Sequence, residues 1–465
     1  MTVTDLTGEH LDDQTVAPLR ARLSGTVALP TDPGYDRATP WNVAVPMRPA
    51  AVVYVANTQD VAEAVRFAVA HKLTVAVQAT GHGALPVGPS TLLVHTANLN
   101  GCHVDAHNRT ALVGAGVRWQ QVLDAATPYG LAGACGSAPG VGVVGFLTGG
   151  GIGPLVRSIG LSSDHVRGFE LVTGAGEILW VTPDQHAELF WGLRGSKGTL
   201  GIVTAVEIEL LPIAEFYGGA LYFGGSDAAT VLHAWQEWVA ELPETVTTSI
   251  ALQQLPALPG VPEPLAGRFS LSLRYVALGD VAEAERLLAP MRAVATPIID
   301  AVAVMPYAAI GAVHADPVDP MPIYEDHALL RELTSEAVEA LLAVAGPDAG
   351  SVQAIVELRH LGGALSRPAA HRSAFCHRDA AFALATIGAL APEIAGLVPA
   401  HAATVIAAVA PWSTGGALPN FAPATGQERL ARCYDEDTLY WLSALAQRYD
   451  PSGVFRVGQV ARHQV

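Results

Sequence analysis

The sequence predicts an α+β protein with two regions that differ in their pattern of strands, helices and loops. Up to about residue 212, apolar strand-like runs alternate with short helices, and glycine-rich loops interrupt them twice. From about residue 213, strand-like segments with alternating apolar residues are separated by amphipathic helices rich in Ala and Leu. Period-two strands joined by such helices favour an antiparallel sheet covered by helices.

The first region begins with a short helix and turn signals at residues 29–35. Residues 51–55 are β-branched and apolar, which is typical of a buried strand, and Thr58 is placed to cap the helix that follows. Further strands are predicted at 73–77, 91–95, 111–116, 169–172, 178–181 and 198–211, and further helices at 119–128 and 187–193.

In the second region, helices are predicted at 228–242, 281–289 and 335–345, and Pro290 is expected to end the second of them. Strands are predicted at 269–275 and within 351–358, with a proline-rich loop at 256–264. The final segment is predicted as a helix from residue 428, followed by a turn from Tyr449.

The stretch SAPGVGVVGFLTGGGIGPL, from Ser137 to Leu155, contains seven glycines. Glycines let the main chain approach a bound group closely, and successive free N–H groups bind phosphates well. A second glycine-rich patch, Gln78 to Gly83, directly follows a predicted strand. The alternative, that these glycines only serve turns of the chain, stays open.

Two common nucleotide motifs are absent. Pro154 follows Gly149-Gly150-Gly151-Ile152-Gly153 where the Rossmann fingerprint G-x-G-x-x-G needs a further glycine. In the stretch from Gly192 to Gly198 the lysine is out of place for a phosphate-binding Walker A loop. The sequence thus argues against both an ordinary dinucleotide fold and a nucleoside triphosphatase.

Composition excludes several classes of partner. A formal net charge of −17 argues against nucleic acids and anionic membrane surfaces. No apolar run reaches the length of about 20 residues that a membrane span needs, and residues 1–14 lack the pattern of a secretory signal. We therefore expect a soluble, cytoplasmic protein, and a homodimer stays an open alternative.

The four cysteines are far apart, and His103 and His107 lie in a turn-like stretch, so neither disulfides nor a metal site is predicted.

Four stretches resemble the berberine bridge enzyme-like branch of the vanillyl-alcohol oxidase and p-cresol methylhydroxylase flavoproteins. They are RPAAVVYVANTQDVAEAVRF from Arg48, VQATGHG from Val77, the stretch from Ser137 to Leu155, and YDPSGVFRVGQ from Tyr449. The resemblance implies a two-domain FAD-binding fold with an inserted antiparallel substrate domain. It divides the chain into an FAD-binding domain at 1–212, a substrate-binding domain at 213–419, and a C-terminal segment at 420–465 that returns to the first domain.

The resemblance also implies that His82 is bonded to the 8α-methyl group of FAD. Some relatives add a second bond through a cysteine just before the proline of the central stretch. Here that position is Ala138, so a single covalent link is expected, with Cys135 as a fallback. The other residues expected to bind the cofactor are Gln78, Ala79, Thr80, Gly81, Gly83, Ala84, Ala138, Pro139, Val141, Gly142, Gly145, Phe146, Thr148, Gly149, Gly150, Gly153, Gly198, Gly201, Ile202, Val203 and Asn420.

The catalytic base of the family has no direct counterpart. The position that often carries it corresponds to Thr386, and the tyrosine that often follows an asparagine is replaced in Asn420-Phe421. Neither side chain accepts a proton at neutral pH. The remaining candidates are Glu357, Arg359, His360 and Tyr434, with Tyr307 and Tyr324 as further alternatives. Glu357 and Arg359 share a strand face, so a structural ion pair is an equally good interpretation.

The resemblance implies an FAD-dependent oxidase. Such an enzyme takes a hydride from a C–H bond next to OH or NH of a small-to-medium metabolite in secondary or catabolic metabolism. O₂ then reoxidises the flavin and yields H₂O₂. The alternative is a flavoprotein of the same fold that either oxygenates its substrate or sequesters a small molecule.

Overall fold

The computed structural model describes residues 11–258 and 260–462. Residues 1–10, which belong to the segment predicted to lack a secretory signal, lie outside this description. The first sheet has the strand order β1-β2-β4-β3, in which β2, β4 and β3 are parallel. Its elements are α1 (Asp13–Arg20), β1 (Thr26–Ala28), β2 (Ala51–Tyr54), α2 (Thr58–Ala70), β3 (Thr74–Gln78) and β4 (Thr91–His95).

A five-stranded antiparallel sheet follows, with the order β5-β6-β9-β7-β8. The central glycine-rich stretch lies between its strands β6 and β7 and contains two short helices, α4 and α5. The elements are β5 (Cys102–Asp105), β6 (Thr110–Gly114), α3 (Trp119–Ala126), α4 (Val143–Leu147), α5 (Val156–Ile159), β7 (Val166–Val172), β8 (Ile178–Val181), α6 (Ala187–Leu193) and β9 (Ile202–Glu209).

The third sheet has eight antiparallel strands and is covered by helices, as the sequence predicts. Trp235, Leu288 and Leu341, one from each of three helices, are fully buried against it. The elements are β10 (Glu215–Gly224), α7 (Ala228–Trp238), β11 (Val246–Gln254), β12 (Phe269–Ala277), α8 (Val281–Val294), β13 (Ile299–Asp300), β14 (Ala303–Pro306), β15 (Ile323–Leu330), α9 (Ser335–Ala345), β16 (Ile355–His360), β17 (Phe382–Ala389) and α10 (Val398–Ala408).

The α+β prediction is confirmed, but several local predictions were wrong. Helix α8 continues through Pro290, because the next residue, Met291, is buried in the core of the third sheet and its burial outweighs one lost hydrogen bond. Asn57 rather than Thr58 caps α2, since its side chain accepts from the N–H of Asp60. His103 lies in strand β5 and not in a turn.

The end of the chain contains two helices rather than one, α11 (Gln427–Cys433) and α12 (Glu436–Tyr449). Asp435 lies between them and caps α12, since its side chain accepts a hydrogen bond from the N–H of Thr438. The chain then returns to the first sheet, where the N–H of Val75 in β3 donates to the carbonyl of Val454 at 2.8 Å. Val454 and Phe455 are buried in the core of that sheet. Among the residues described here, no helix is both long and apolar enough to cross a membrane.

Candidate active site

The two glycine-rich loops lie side by side. A Cβ atom at Gly142 would lie 3.6 Å from the side chain of Thr80, so the loop after β3 touches the segment that leads into α4. Gly81 has φ +77°, and a Cβ there would approach the Cα of Pro40 to 2.6 Å, so this turn requires glycine. The structure therefore joins the two stretches that the sequence singles out.

Space is left open beside these loops. A Cβ atom at Gly145 or Gly198 would meet no described atom within 4 Å, and one at Gly83 would meet only the Lys197 ammonium at 3.9 Å. The N–H groups of His82, Gly83 and Gly145 find no acceptor within the described part of the chain. Free main-chain donors beside unfilled space suit a phosphate-bearing cofactor that approaches the backbone closely.

His82 lies at the edge of this open space. Its ring stacks on Trp41 with 5.0 Å between centroids, and its Nδ1 lies 2.9 Å from the hydroxyl oxygen of Thr80. Burial and the nearby Arg118 guanidinium lower the pKa of His82 to about 4. The imidazole is therefore neutral at pH 7 and keeps a nitrogen lone pair for bonding.

Lys197, whose position does not fit a Walker A loop, connects the two glycine-rich loops. Its ammonium donates to the carbonyl of Gly145 at 3.0 Å and to Oδ1 of Asn420 at 2.6 Å. Asn420 in turn donates to the carbonyl of Phe146 at 2.8 Å. Burial lowers the pKa of Lys197 to about 8, and its φ of +55° is unusual for a side-chain-bearing residue. Gly145, Phe146 and Asn420, which are all predicted to bind the cofactor, thus meet around Lys197. The glycines on either side of Lys197 in the sequence are a signal that could have identified it.

Other predicted cofactor residues shape the loops through protein contacts. A Cβ at Gly149, Gly150 or Gly153 would lie within 2.3 Å of Asn420, Phe375 or Cys135 respectively, so these positions hold the chain path. Their contact with a cofactor stays a prediction. The others make local contacts or are buried: Gln78 donates to Ala38, Ala84 to Gly81, Val141 to Ala138 and Thr148 to Val144; Pro139 contacts Gly311; Ala79 lies beside Gly142; Gly201, Ile202 and Val203 are buried.

Glu357 lies in a buried polar cluster on the inner face of the third sheet. One carboxylate oxygen accepts from Ser249 at 2.8 Å and from Arg274 at 2.6 Å, and the other accepts from Nε of Arg359 at 2.8 Å. Nε2 of His314 lies 3.3 Å from the first oxygen. Strand register explains the cluster, since Ser249 is paired with Arg274 on one side and with Arg359 on the other.

The cluster fixes the charge of its members. Burial alone would raise the pKa of Glu357, but Arg359 and Arg274 hold that pKa well below its usual range. Burial and Arg274 lower the pKa of His314. Glu357 is therefore an ionised, fully bonded carboxylate and a poor proton acceptor, which favours the structural interpretation of its pair with Arg359. His314 is neutral, and its Nδ1 has no partner within residues 11–258 and 260–462.

The remaining catalytic candidates lie in different environments. His360 contacts Arg157 through Nε2 at 3.1 Å and stacks on Phe382, and burial lowers its pKa to about 3. Tyr434 is buried in the core of the second sheet and donates to the carbonyl of Gly195 at 2.8 Å. Tyr434 thus has a packing role here, whereas Arg359 and His360 line a cavity.

That cavity lies between the third sheet and the central glycine-rich stretch. Ile152, Gly153 and Pro154 border it on one side. Arg274, His314, Arg359 and His360 border it on the sheet side. Sequence reasoning missed Arg274 and His314. An arginine in the middle of an apolar strand is a usable signal for the first, but nothing in the sequence marks the second.

Cysteines and metals offer no second chemistry in the described residues. The four cysteines are unpaired there, and no group of three or more His, Cys, Asp or Glu side chains is placed to hold a metal ion. Cys135 is buried 3.8 Å from the hydroxyl of Tyr307, and burial raises the pKa of its thiol to about 12. Because the thiolate is the reactive form, Cys135 is poorly suited to bond a cofactor.

Comparison with known proteins finds a family model that matches part of the chain and a relative that is similar over nearly its whole length. A family described as FAD binding domain matches residues 49–182. The sequence is 28% identical over 458 residues to (R)-6-hydroxynicotine oxidase from Paenarthrobacter nicotinovorans, covering 93% of this chain and 96% of the relative.

Solved structures agree with this relationship. The crystal structure of 6-hydroxy-D-nicotine oxidase from Arthrobacter nicotinovorans superposes with a TM-score of 0.83 at 25% identity, covering 94% of this chain and 97% of the other. Berberine bridge enzyme from Eschscholzia californica superposes with a TM-score of 0.81 at 18% identity, covering 97% and 99%. The predicted two-domain FAD-binding fold is confirmed, and the chain is similar to oxidases of the kind that the predicted family resemblance implies.

Proposed function

We propose that the chain belongs to the FAD-linked oxidoreductases of the vanillyl-alcohol oxidase and p-cresol methylhydroxylase superfamily and that it is an oxidase of small-to-medium metabolites. The bond it oxidises is a C–H next to OH or NH. FAD, when bound, accepts the hydride and passes two electrons to O₂ to give H₂O₂. The residues of the chain bind the cofactor, orient the substrate and accept its proton.

The observation that carries the proposal is the open space beside the two glycine-rich loops. Gly83, Gly145 and Gly198 border it without side chains, and the same loops carry N–H groups that have no acceptor among the described residues, which suits a phosphate. Lys197 adds one positive charge at this place. These residues fit FAD, and the proposal includes the predicted cofactor set and the division of the chain at residues 212 and 419.

His82 is proposed to form one covalent bond with the 8α-methyl carbon of FAD. The imidazole would give up its N–H and the methyl carbon one C–H; the two hydrogens and two electrons would reduce the flavin, which O₂ would reoxidise with release of H₂O₂. A neutral imidazole is needed for this bond, and the environment of His82 keeps it neutral. No second bond is proposed, since Ala138 has no thiol and Cys135 is buried with a raised pKa.

The low pKa of His82 gives a pH prediction. With a pKa of about 4, the neutral fraction of His82 changes little between pH 8 and 5.5. An imidazole with the ordinary pKa of about 6.5 would lose roughly tenfold of its neutral form over this interval. We expect the rate of covalent FAD incorporation into purified apoprotein to vary less than about threefold across it. A tenfold decrease at pH 5.5 would show that His82 titrates normally.

Substrate is proposed to bind in the cavity below the central stretch, which the catalytic candidates Arg359 and His360 line. Nδ1 of neutral His314 is the available acceptor for a substrate proton, because its Nε2 faces Glu357. Glu357 orients this ring, and Tyr434 acts through packing. The proposal retains a cytoplasmic location, a role in secondary or catabolic metabolism, and the homodimer as an open alternative.

One observation supports the second candidate function, a flavoprotein that oxygenates or sequesters its ligand. Thr386 is buried and donates to the carbonyl of Asp326, and Phe421 packs beside His327, so neither usual base position carries a proton acceptor. A flavoprotein that oxygenates or sequesters its ligand would need no such base.

An oxygen electrode separates the two functions. Purified yellow protein is mixed with a panel of alcohols, sugars and amines, and O₂ uptake is compared with peroxide release. The oxidase predicts one H₂O₂ for each O₂ consumed. Uptake without peroxide would indicate oxygenation, and tight ligand binding without uptake would indicate sequestration.

A further inference from the structure

The cavity below the central stretch has an excess of positive charge. Arg274 and Arg359 share the single carboxylate of Glu357, which leaves one positive charge uncompensated. The other titratable groups that line the cavity are His314, His360 and Tyr275, and the shifts of their pKa values keep all three neutral at pH 7. None of the described lining residues is acidic.

Donors of these arginines are left without acceptors. The side chain of Arg274 is 3% exposed, and its Nε has no hydrogen-bond partner among the described residues. Arg359 uses only Nε, on Glu357, so both of its terminal nitrogens lack an acceptor within the same residues. The buried Nε–H of Arg274 is costly to leave without an acceptor, and the less buried terminal nitrogens of Arg359 are free to bind one.

Phe421 orients the free end of Arg359. The guanidinium carbon lies 5.3 Å from the centroid of the Phe421 ring, while Nε is held by Glu357. A planar fork held on two sides presents its remaining N–H groups in a fixed direction, which suits the two oxygens of a carboxylate. The phenylalanine that replaces the usual tyrosine thus serves to position an arginine.

A cationic ligand is disfavoured by the same contacts. Glu357 already receives hydrogen bonds on both oxygens, so it has little capacity left for an ammonium group. The two guanidinium groups would also repel it.

We infer that the substrate of this enzyme carries a carboxylate, which binds to the terminal nitrogens of Arg359 and to the Nε–H of Arg274. This inference rests on the proposed function, because it assigns the substrate class of the same cavity.

The test is isothermal titration calorimetry at pH 7 with 4-(hydroxymethyl)benzoate, its uncharged amide, and 4-(hydroxymethyl)benzylamine. Glycolate and glycolamide form a second, smaller pair. We expect the carboxylate of at least one pair to bind roughly 10- to 100-fold more tightly than its amide, as charge-assisted hydrogen bonds allow. Arg359→Met should abolish this preference while the amide still binds, and Arg359→Lys should keep part of it. An amide or amine that binds as well as the carboxylate would overturn the inference, as would no binding of either carboxylate at 10 mM.

Arg367→Met is the matched control, since Arg367 pairs with Glu244 on the surface and its side chain is 56% exposed. Its carboxylate affinity should equal that of the unmodified protein. Calorimetry needs no turnover, so the two proposals fail separately. Selective carboxylate binding without oxidase activity would contradict the proposed function alone, and an oxidase that accepts only neutral or cationic compounds would contradict the inference alone.

Discussion

Replacing His82 with alanine is expected to move all flavin from the acid-precipitated protein into the supernatant. In the unmodified protein the pellet should stay yellow after washing, because the proposed C–N bond to His82 would survive denaturation. The variant should still bind FAD without a covalent bond, since the glycine-rich loops and Lys197 are unchanged. The measurement is the flavin absorbance of pellet and supernatant.

His107→Ala provides the control, because His107 lies exposed in the turn after β5. It should retain flavin in the pellet like the unmodified protein. Flavin that remains covalently bound in His82→Ala would point to another residue, and the buried thiol of Cys135 would then have to be reconsidered. Flavin that is wholly released from the unmodified protein would contradict the covalent bond itself.

Glu357→Gln is expected to lower the free energy of unfolding by about 3–5 kcal/mol, the usual cost of breaking a buried ion pair. The change leaves Arg274 and Arg359 without a counter-charge at a place where Glu357 is 3% exposed. Because the pKa of Glu357 is lowered in the folded protein, its contribution is present above the ordinary glutamate pKa of about 4.3 and is lost as the pH falls further. Urea unfolding at pH 7 measures the loss.

Glu244→Gln is the matched control for this substitution. Glu244 pairs with Arg367, but its side chain is 50% exposed, and exposed pairs contribute about 1 kcal/mol or less. Equal unfolding midpoints for the two variants would show that the Glu357 cluster does not stabilise the protein.

The sequence was a good guide where the evidence was local. Glycine spacing located both loops, and alternation along strand β16 placed Glu357 and Arg359 on one face. Arg274 was missed because its proximity to Glu357 depends on the lateral order β12-β11-β16, which no local pattern encodes. His314 was missed because it directly follows a 3₁₀ helix at residues 307–313, whose packing against the sheet is likewise not encoded locally. The stacking of Trp41 on His82 was missed for a related reason, since Trp41 lies in a loop that is distant in sequence. The end of α8 was predicted wrongly at Pro290, because the burial of Met291 outweighs the helix-breaking propensity of proline.

The return of the chain to β3 has a consequence for biosynthesis. Strand β3 forms an edge of the first sheet, and the hydrogen bond from Val75 is completed only by Val454. During translation this edge is made early, and its partner leaves the ribosome almost 400 residues later. The loop bearing His82 directly follows β3, so its support is incomplete until the segment around Val454 has been made. We therefore expect the proposed cofactor to bind only after that segment has left the ribosome.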